Sequence, residues 1–540
     1  MGIPSYFFQI LRTHGERFIG SKKKVGRLFL DLNCCIHGCK NRVLKEYGES
    51  KLDSKFEERV IKEVIRTIIR FCKETSPIEL LWIAVDGVVP VAKMKQQRER
   101  RLKAIHSREK IRMIRDRYGK EPLAEWDSNQ ITPGTPFMLR MCDSIKKNLS
   151  KIKISTGVKN IHMNGVRNPG EGEQKIFEYM RNEPNNTNDY EDVVYGLDAD
   201  LIILSILQTT HQTGSISLLR EKQEFGRLTK TEDGEDELLR FRVSEFAKII
   251  PSYWGGVSGA PIKRLLYDYI ILISLMGNDF VPHTPSLTFR SEGIERVIDA
   301  YRAVGKHIVN DKMSIEWMVI RDIFTRLAGH ERDVLEHDEE ITEKIRHRIS
   351  AGQVPFKHAI KDDPMEQDIA AMDWEHIQEI PCFFPKKQGF RKRYYSGMKG
   401  KGCIWSSNDK MIKSIVTQYL MSIEWCWNYY NGNDVPMEWY YPYVSGPLLE
   451  DLKNITDEVD IKFKKIMTDI PSDVQLICVL PQQSHEKCMS RGTLKKTKEC
   501  ADLYPIEYDS WSYGKRHEWE QEGFLPLIPV NRIHTLITGE

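Results

Sequence analysis

Apolar runs in the first three hundred residues repeatedly end on a carboxylate. RLFLD ends at Asp31, LLWIAVD at Asp86 and LISLMGND at Asp279, while VVYGLDAD carries Asp198 and Asp200. PGEGE adds Glu171 and Glu173. Runs of this length bounded by Gly predict buried strands or helix ends. Their alternation with helical stretches up to about residue 305 predicts an α/β fold with a central, largely parallel twisted sheet and flanking helices. In such a sheet the residues at the carboxyl ends of strands converge on one crevice. LDAD alternates by two at the end of an apolar strand, which places both acids on one face, where their repulsion costs stability. Glu171 and Glu173 follow Pro169-Gly170 at a predicted helix start, where the helix dipole favours acids.

Beyond the acidic stations the rhythm changes. EFAKIIPSYWGGVSGAPIK (245–263) and the charged stretch before it predict an insertion at about 208–262. Residues 311–380 are charge-rich and predict a helical connecting region. From 381 to 540 aromatic density rises, in FFPKKQGFRKRYY and YLMSIEWCWNYYNGNDVPMEWYYPY, and a mainly helical second segment enclosing the site is expected. Lys/Arg interleaved with rings in KKQGFRKRYY is the composition of a single-strand groove. Most rings of WCWNYY and WYYPY read as core instead.

Composition narrows the classes. At 540 residues the chain exceeds one ordinary core. A formal charge of +3 makes any nucleic-acid reading depend on where the cations lie. Eleven cysteines without a CxxC pair fit a reducing compartment, cytoplasm or nucleus, better than a disulfide framework or zinc module. No apolar run approaches the ~18 residues of a membrane span.

Seven acids in one crevice cannot all stay ionised unless something cationic sits among them. Oxygen-only ligands in that number suit Mg²⁺ or Mn²⁺, and two such ions about 4 Å apart are common machinery for cutting phosphodiesters. One Asp at a strand end is commonly a helix N-cap, but capping explains five stations together poorly. A second constellation is AVDGVVPVAKMKQQRERRLK. A helix starting near Ala92 would align Lys93, Gln97, Arg100 and Arg101 along one face. Such a face is a receptor for a terminal phosphate. Spacing alone does not separate this from a solvated basic helix.

Taken together these residues resemble the Xrn family of 5′→3′ exoribonucleases. MGIPSYFF, LFLDLNCCIHGC, AVDGVVPVAKMKQQRERR, DSNQITPGTPFM, NPGEGEQKI, YGLDADLIIL, SLLREKQEF and GNDFVPHTPSL match its first conserved segment in order. WYYPY, VLPQQS and LYPIEYDSWSYGKRHEWEQEGFLPLIP match the second. The resemblance implies a flap-nuclease/PIN-like core over residues 1–310, with 381–540 completing the site. It implies metal-binding, catalytic roles for Asp31, Asp86, Glu171, Glu173, Asp198, Asp200 and Asp279. Lys93, Gln97, Arg100 and Arg101 would form a 5′-monophosphate pocket, and His37 and Trp439 would stack on bases. Departures are Cys34-Cys35 in place of Gly-Ile, Val91 in place of Arg, Gln174 in place of His, and Met437 in place of the first tryptophan of the family's SWxWYYPY pattern. With the chain ending soon after the second segment, a minimal, monomeric catalytic unit is expected.

The implied activity is metal-dependent, processive 5′→3′ degradation of single-stranded RNA with a 5′ monophosphate, releasing mononucleotides. One alternative is a flap-type DNA nuclease, disfavoured because GNDF is followed by the Gly-poor VPHTPSLTFR. Another is a non-catalytic RNA 5′-end scaffold, disfavoured because all seven acids are present.

Overall fold

The apolar runs pair into one six-stranded sheet: β1 (Val25–Asp31), β2 (Leu80–Ala84), β3 (Asn160–Asn164), β4 (Glu191–Tyr195), β5 (Ser215–Glu221) and β6 (Leu238–Phe241). The computed structural model describes residues 6–539 except 22, 48–51, 53, 122–124, 225–226, 232–233, 256, 258, 352–362, 399–408, 456–460, 462 and 464–468. Residues 1–5 of the MGIPSYFF opening and Phe225 of SLLREKQEF lie outside the described residues. Strand order is β3-β2-β1-β4-β5-β6, parallel throughout except for the antiparallel β5–β6 pair at one edge. β2 and β4 are buried at every position, as strands covered on both faces must be.

Helices supply both covers. α1 (Tyr6–His14), α2 (Leu32–Tyr47), α3 (Phe56–Thr75), α4 (Val91–Arg117), α5 (Pro136–Thr156), α6 (Gly172–Asn182), α7 (Asp200–Gln208), α8 (Val243–Trp254) and α9 (Ile262–Ser274) follow in chain order. α2, α3 and α5 pack over Leu28, Leu30, Leu81 and Ile83. α6 to α9 pack over Phe29, Trp82 and Val194. The chain continues through α10 (Gly293–Val304), α11 (Trp317–Ala328), α12 (Glu331–Ser350), α13 (Pro364–Glu375), α14 (Phe390–Gly397) and α15 (Asp409–Asn431). Trp425, Trp427 and Tyr430 of α15 join the second of these cores, so the aromatic half packs directly on the sheet's helical cover.

The chain starts in the middle of the sheet. From β1 it winds outward through β2 to β3, then returns to β4 on the other side of β1. The order reverses between β1 and β4, and a crevice opens at their carboxyl ends.

Three expectations need correcting. The insertion drawn at 208–262 contains β5 and β6, both in the main sheet, and α8, whose Phe246, Ala247, Ile250 and Trp254 are buried. Pro251 lies in the last turn of α8 rather than in a long loop. LDAD is not strand: β4 stops at Tyr195, and Asp200 is the first residue of α7. Gly196, the residue after Tyr195, leaves room for the Leu201 side chain, which a Cβ there would meet. KKQGFRKRYY is not an open groove either. Phe390, Tyr394 and Tyr395 are buried, Arg391 pairs with Asp409 and Asp451, and Lys386 with Asp333 and Glu336.

The C-terminal segment encloses the start of α4. Val89, Val91 and Met94 pack with Val474, Ile477, Ile528 and Ile533. Met437 O accepts from Val91 N at 2.8 Å, and Gln475 Oε1 from Val89 N at 2.8 Å. The buried Arg98 guanidinium donates to Pro526 O at 2.6 Å and to Leu503 O. A fragment comprising residues 1–310 would expose this apolar face and strand Arg98, so we expect it to aggregate or to lack activity. Gel filtration and an RNase assay on the fragment check this; a monodisperse, fully active fragment would show that the second half is dispensable.

Candidate active site

β1 delivers Asp31 as its last residue, opposite Ala84 at the end of β2. Asp86 follows two residues later, its carboxylate held by Asn33 Nδ2 at 2.7 Å and Gly172 N at 2.6 Å. A Cβ on Gly172 would lie 2.6 Å from Asp31 Oδ1 and 3.3 Å from Asp86 Oδ1. Only glycine therefore lets the start of α6 approach both acids. Glu171 is the N-cap residue of α6 and Glu173 lies in its first turn. Across the switch point Asp198 Oδ1 accepts from Asp200 N at 3.3 Å. Asp279 arrives from the loop after α9 and is tied to the others by Lys93.

Lys93 is the cation among these acids. Its buried ammonium lies 2.6 Å from Glu171 Oε1 and 2.8 Å from Asp279 Oδ2. Burial works against its charge, but Asp279, Glu171 and Glu173 outweigh that and hold its pKa well above the ordinary value. Tyr429 OH of α15 donates to Glu171 Oε2 at 2.7 Å, which places the second half of the chain in contact with the site. Burial, and after it neighbouring carboxylates, pushes Asp31, Glu173 and Asp200 well above the usual carboxylate range.

Asp31 Oδ1, Glu173 Oε1 and both carboxylate oxygens of Asp200 are buried without a hydrogen-bond partner. Orphaned anionic oxygens at a sheet switch point fit a hard divalent cation, which takes oxygen ligands and offsets their mutual repulsion. Among the described residues no three of the acids are gathered into a ready-made metal cage; the fit rests on the donor set and its unmet oxygens.

The four donors predicted on α4 divide between two places. Lys93 points into the acids. One to two turns on, Arg101 Nη1 donates to Gln97 Oε1 at 3.1 Å and Nη2 to Thr132 Oγ1 at 3.0 Å, with both α4 side chains buried. Among the described residues Arg101 has no carboxylate partner. Burial, followed by repulsion from Arg100, lowers its pKa to about 9. Arg100 feels both places: Asp279, Asp198 and Asp86 favour its charge, and it in turn lowers the pKa of Arg101. A buried guanidinium held only by neutral groups is the counterpart an anion requires.

His37 is exposed on α2, beside Arg100, Lys40 and Arg101. Desolvation there, followed by the charges of Arg100, Lys40 and Arg101, lowers its pKa to about 3. Trp439 is half-buried and stacks on Trp425, with ring centroids 5.9 Å apart. Trp425 stacks in turn on Tyr429 at 4.8 Å, so an aromatic column runs from Trp439 to Glu171. Met437 packs toward Val88 in a different core.

Several supporting residues were not singled out for the site from sequence. They are Asn33, Tyr429, Thr132 and Lys175, whose Nζ donates to Val85 O at 2.8 Å and Gly165 O at 3.1 Å beneath the acids. Asn33 and Thr132 stand inside quoted motifs, LFLDLNCC and DSNQITPGTPFM, and closeness to an acid or to α4 is the signal each offered. Lys175 sits in NPGEGEQKI.

Comparison with known proteins agrees with this geometry. Residues 1–222 match the family model described as XRN 5′-3′ exonuclease N-terminus, and residues 260–380 and 386–538 match the Xrn1 helical domain. Human 5′-3′ exoribonuclease 1 is 27% identical over an alignment covering 99% of this chain and 34% of its own length. 5′-3′ exoribonuclease 2 of Arabidopsis thaliana is 25% identical, covering 94% of this chain and 61% of its own. The Debaryomyces hansenii 5′-3′ exoribonuclease 2 is 24% identical over 94% and 65%. The chain thus spans about a third to two thirds of the length of these relatives. No helix among the described residues is long and apolar enough to cross a membrane. With both family models matched across a switch-point crevice of seven acids, the chain belongs to the Xrn family of 5′-3′ exoribonucleases.

Proposed function

We propose that the chain is a divalent-metal-dependent exoribonuclease that degrades single-stranded RNA from a 5′-monophosphate end, one nucleotide at a time. The observation that carries this reading is the division of α4. One helix presents Lys93 to seven acids and, eight residues on, Arg101 to a separate cationic recess. Eight residues span about 12 Å along a helix axis, so the two places are distinct but within reach of one RNA end. A 5′ phosphate held by Arg101, Gln97 and Arg100 would place the first phosphodiester at the acids, so the contacts that recognise the end also set the cleavage point. Asp31, Asp86, Glu171, Glu173, Asp198, Asp200 and Asp279 would hold the cations. Their number exceeds what one ion in octahedral coordination accepts, which supports two Mg²⁺ or Mn²⁺. Cations bound there would supply Lewis acidity at the scissile phosphate.

His37 and Trp439 would flank the leading bases. With a pKa of about 3 the His37 ring is neutral throughout the assay range and would stack without titrating. His37→Phe should keep most of the activity, and His37→Ala should weaken RNA binding about 10- to 100-fold, from a stacking contribution of about 1–3 kcal/mol per base. Binding titrations at pH 6 and pH 8 check this; a step in the wild-type affinity that His37→Phe removes would show a charged role instead.

The test of the function is purified protein with Mg²⁺ on 5′-monophosphate RNA, 5′-triphosphate RNA and matched DNA. Mononucleotide release confined to the first substrate is expected. Binding without cleavage would mean an RNA-end scaffold, and cleavage of DNA flaps a structure-specific nuclease.

A further inference from the structure

SLLREKQEF has no part in the site as described so far, yet its arginine reaches the catalytic loop. Arg220, on β5, is buried, and its guanidinium donates from Nη1 to Asp198 O at 3.2 Å and from Nη2 to Leu197 O. The other face of the same guanidinium lies 4.6 Å from the centre of the Phe7 ring in α1. Phe7 meets Phe241 of β6 edge-on at 5.5 Å. Arg220 and Phe7 lie in the wall of a cavity of about 810 Å³ that Leu197, Ala199 and Asp279 also help to line.

The loop that Arg220 grips needs an outside brace. Between the end of β4 and the start of α7 the bonds among the described residues are Gly196 N to Leu219 O at 3.2 Å, Asp200 N to Asp198 Oδ1 at 3.3 Å, Ile202 N to Ala199 O at 3.0 Å and a backbone contact of Leu197 with the Cys34 thiol, and none of these holds the Leu197 or Asp198 carbonyl. The loop must nevertheless carry two carboxyl groups side by side. Asp200 is fully buried and neither of its carboxylate oxygens has a partner, so nothing at the side-chain end fixes its direction. Among the described residues Arg220 is the side chain that holds the carbonyls of both Leu197 and Asp198. A planar fork can take two adjacent carbonyls at once, which a single ammonium does with less precision.

We infer that Arg220 is a positioning residue for the metal-binding acids: it fixes the 197–198 peptide and thereby the aim of Asp198 and Asp200, and its stacking on Phe7 makes the docking of α1 part of that arrangement. The inference rests on the proposed function, because it treats those acids as metal ligands.

The sign of the effect separates this role from two simpler ones. A cation beside a divalent-metal site repels the metal, so a purely electrostatic Arg220 would lower metal affinity and its removal would tighten binding. A purely structural Arg220 would change thermal stability and leave the metal requirement alone. A positioning Arg220 does the reverse of the first: its loss weakens metal binding even though a repulsive charge has gone.

The experiment follows the metal-dependent rise in melting temperature across an Mg²⁺ titration, for wild type, Arg220→Met, Arg220→Lys and Phe7→Ala, with no RNA present. Amide hydrogen exchange of residues 196–202 in the metal-free proteins is measured alongside. Arg220→Met should raise the half-saturating Mg²⁺ about 10-fold, the lower end of what losing a group that orients metal ligands costs, and should speed exchange across the loop. Arg220→Lys and Phe7→Ala should shift both readouts in the same direction by less, and they carry the test if Arg220→Met does not fold. An unchanged or lower Mg²⁺ requirement in the variants that fold would overturn the inference while leaving the proposed function standing. A wild-type protein with no Mg²⁺ response would overturn both.

Discussion

Asp200→Asn should abolish RNA turnover and at the same time raise the melting temperature of the metal-free protein at pH 8. The loss follows from the proposed role: a carboxylate that holds a catalytic cation contributes several kcal/mol, and about 4 kcal/mol corresponds to roughly a thousandfold in rate. The gain in stability follows from the pKa. Asp200 is fully buried with both oxygens unpartnered, and burial, then Asp198 and Asp279, raises its pKa well above the ordinary value. A raised carboxyl pKa means that the folded state keeps a proton the unfolded chain has lost. Stability is therefore greatest below the unfolded value of about 4 and falls as pH rises through the folded value. Glu173 and Asp31 act with the same sign. His37 and His283, lowered to about 3 and about 4, act with the opposite sign, but only below their unfolded value of 6.5. Above pH 7 the histidines fall silent, but Lys175 and Arg101, lowered to about 8 and about 9, act with their sign, so the effect of Asp200 is read as the difference between variant and wild type at one pH. Replacing one by a neutral amide removes the penalty, for a gain of about 1–3 °C in a protein of this size. Melting with and without Mg²⁺ from pH 7 to 9 reads it out. Mg²⁺ should raise the melting temperature of wild type by more than that of the variant. A variant that melts lower in the absence of metal would make Asp200 a structural residue, and an active one would remove it from the site.

The acids were conspicuous in the sequence for a physical reason. Parallel strands buried on both faces are apolar throughout, so an Asp closing RLFLD or following LLWIAV has no local explanation. The switch point supplied the rest, because β1 must lie beside β4 for Asp31 and Asp198 to share a crevice, and the alternation of strand and helix already implied a parallel sheet. What local pattern carried less well were choices made by distant contacts. LDAD looked like alternating strand because nothing in it marks Asp200 as the first residue of α7, whose Leu201, Ile202, Ile203 and Leu204 are drawn into the core by distant partners. Lys93 fell on the helical face of Gln97 and Arg101, but Glu171 and Asp279, far along the chain, draw its ammonium away from theirs. β6 is four residues long and only its last is buried, so little in LLRF marked it as part of the main sheet. In KKQGFRKRYY, Lys386 and Arg391 are likewise taken up by acids more than fifteen residues distant, while Lys387 lies over the Phe384 ring and Arg393 binds nearby carbonyls.

That division of α4 makes Arg101, rather than Lys93, the residue whose loss should report on recognition of the 5′ end. Lys93 is bound to Glu171 and Asp279, so replacing it would leave buried acids uncompensated and disturb metal binding, folding and end recognition together. Among the described residues Arg101 donates hydrogen bonds to Gln97 and Thr132 and forms no ion pair. A guanidinium whose pKa is lowered to about 9 by burial and by Arg100 is held at a cost that a phosphate dianion would offset. Removing it relieves that cost in the free protein and forfeits the contact in the complex. A charged hydrogen bond contributes about 1.5–3 kcal/mol, which is about 10- to 100-fold in rate if the contact persists in the transition state. Arg101→Ala should therefore slow decay of 5′-monophosphate RNA by that factor, leave 5′-hydroxyl RNA nearly unaffected, and keep the wild-type Mg²⁺ dependence. Single-turnover rates on the two RNAs across an Mg²⁺ titration test this directly. Equal slowing of both substrates would reduce the recess to a general RNA-binding face, and a changed Mg²⁺ requirement would place Arg101 with the acids, where the structure has put Lys93.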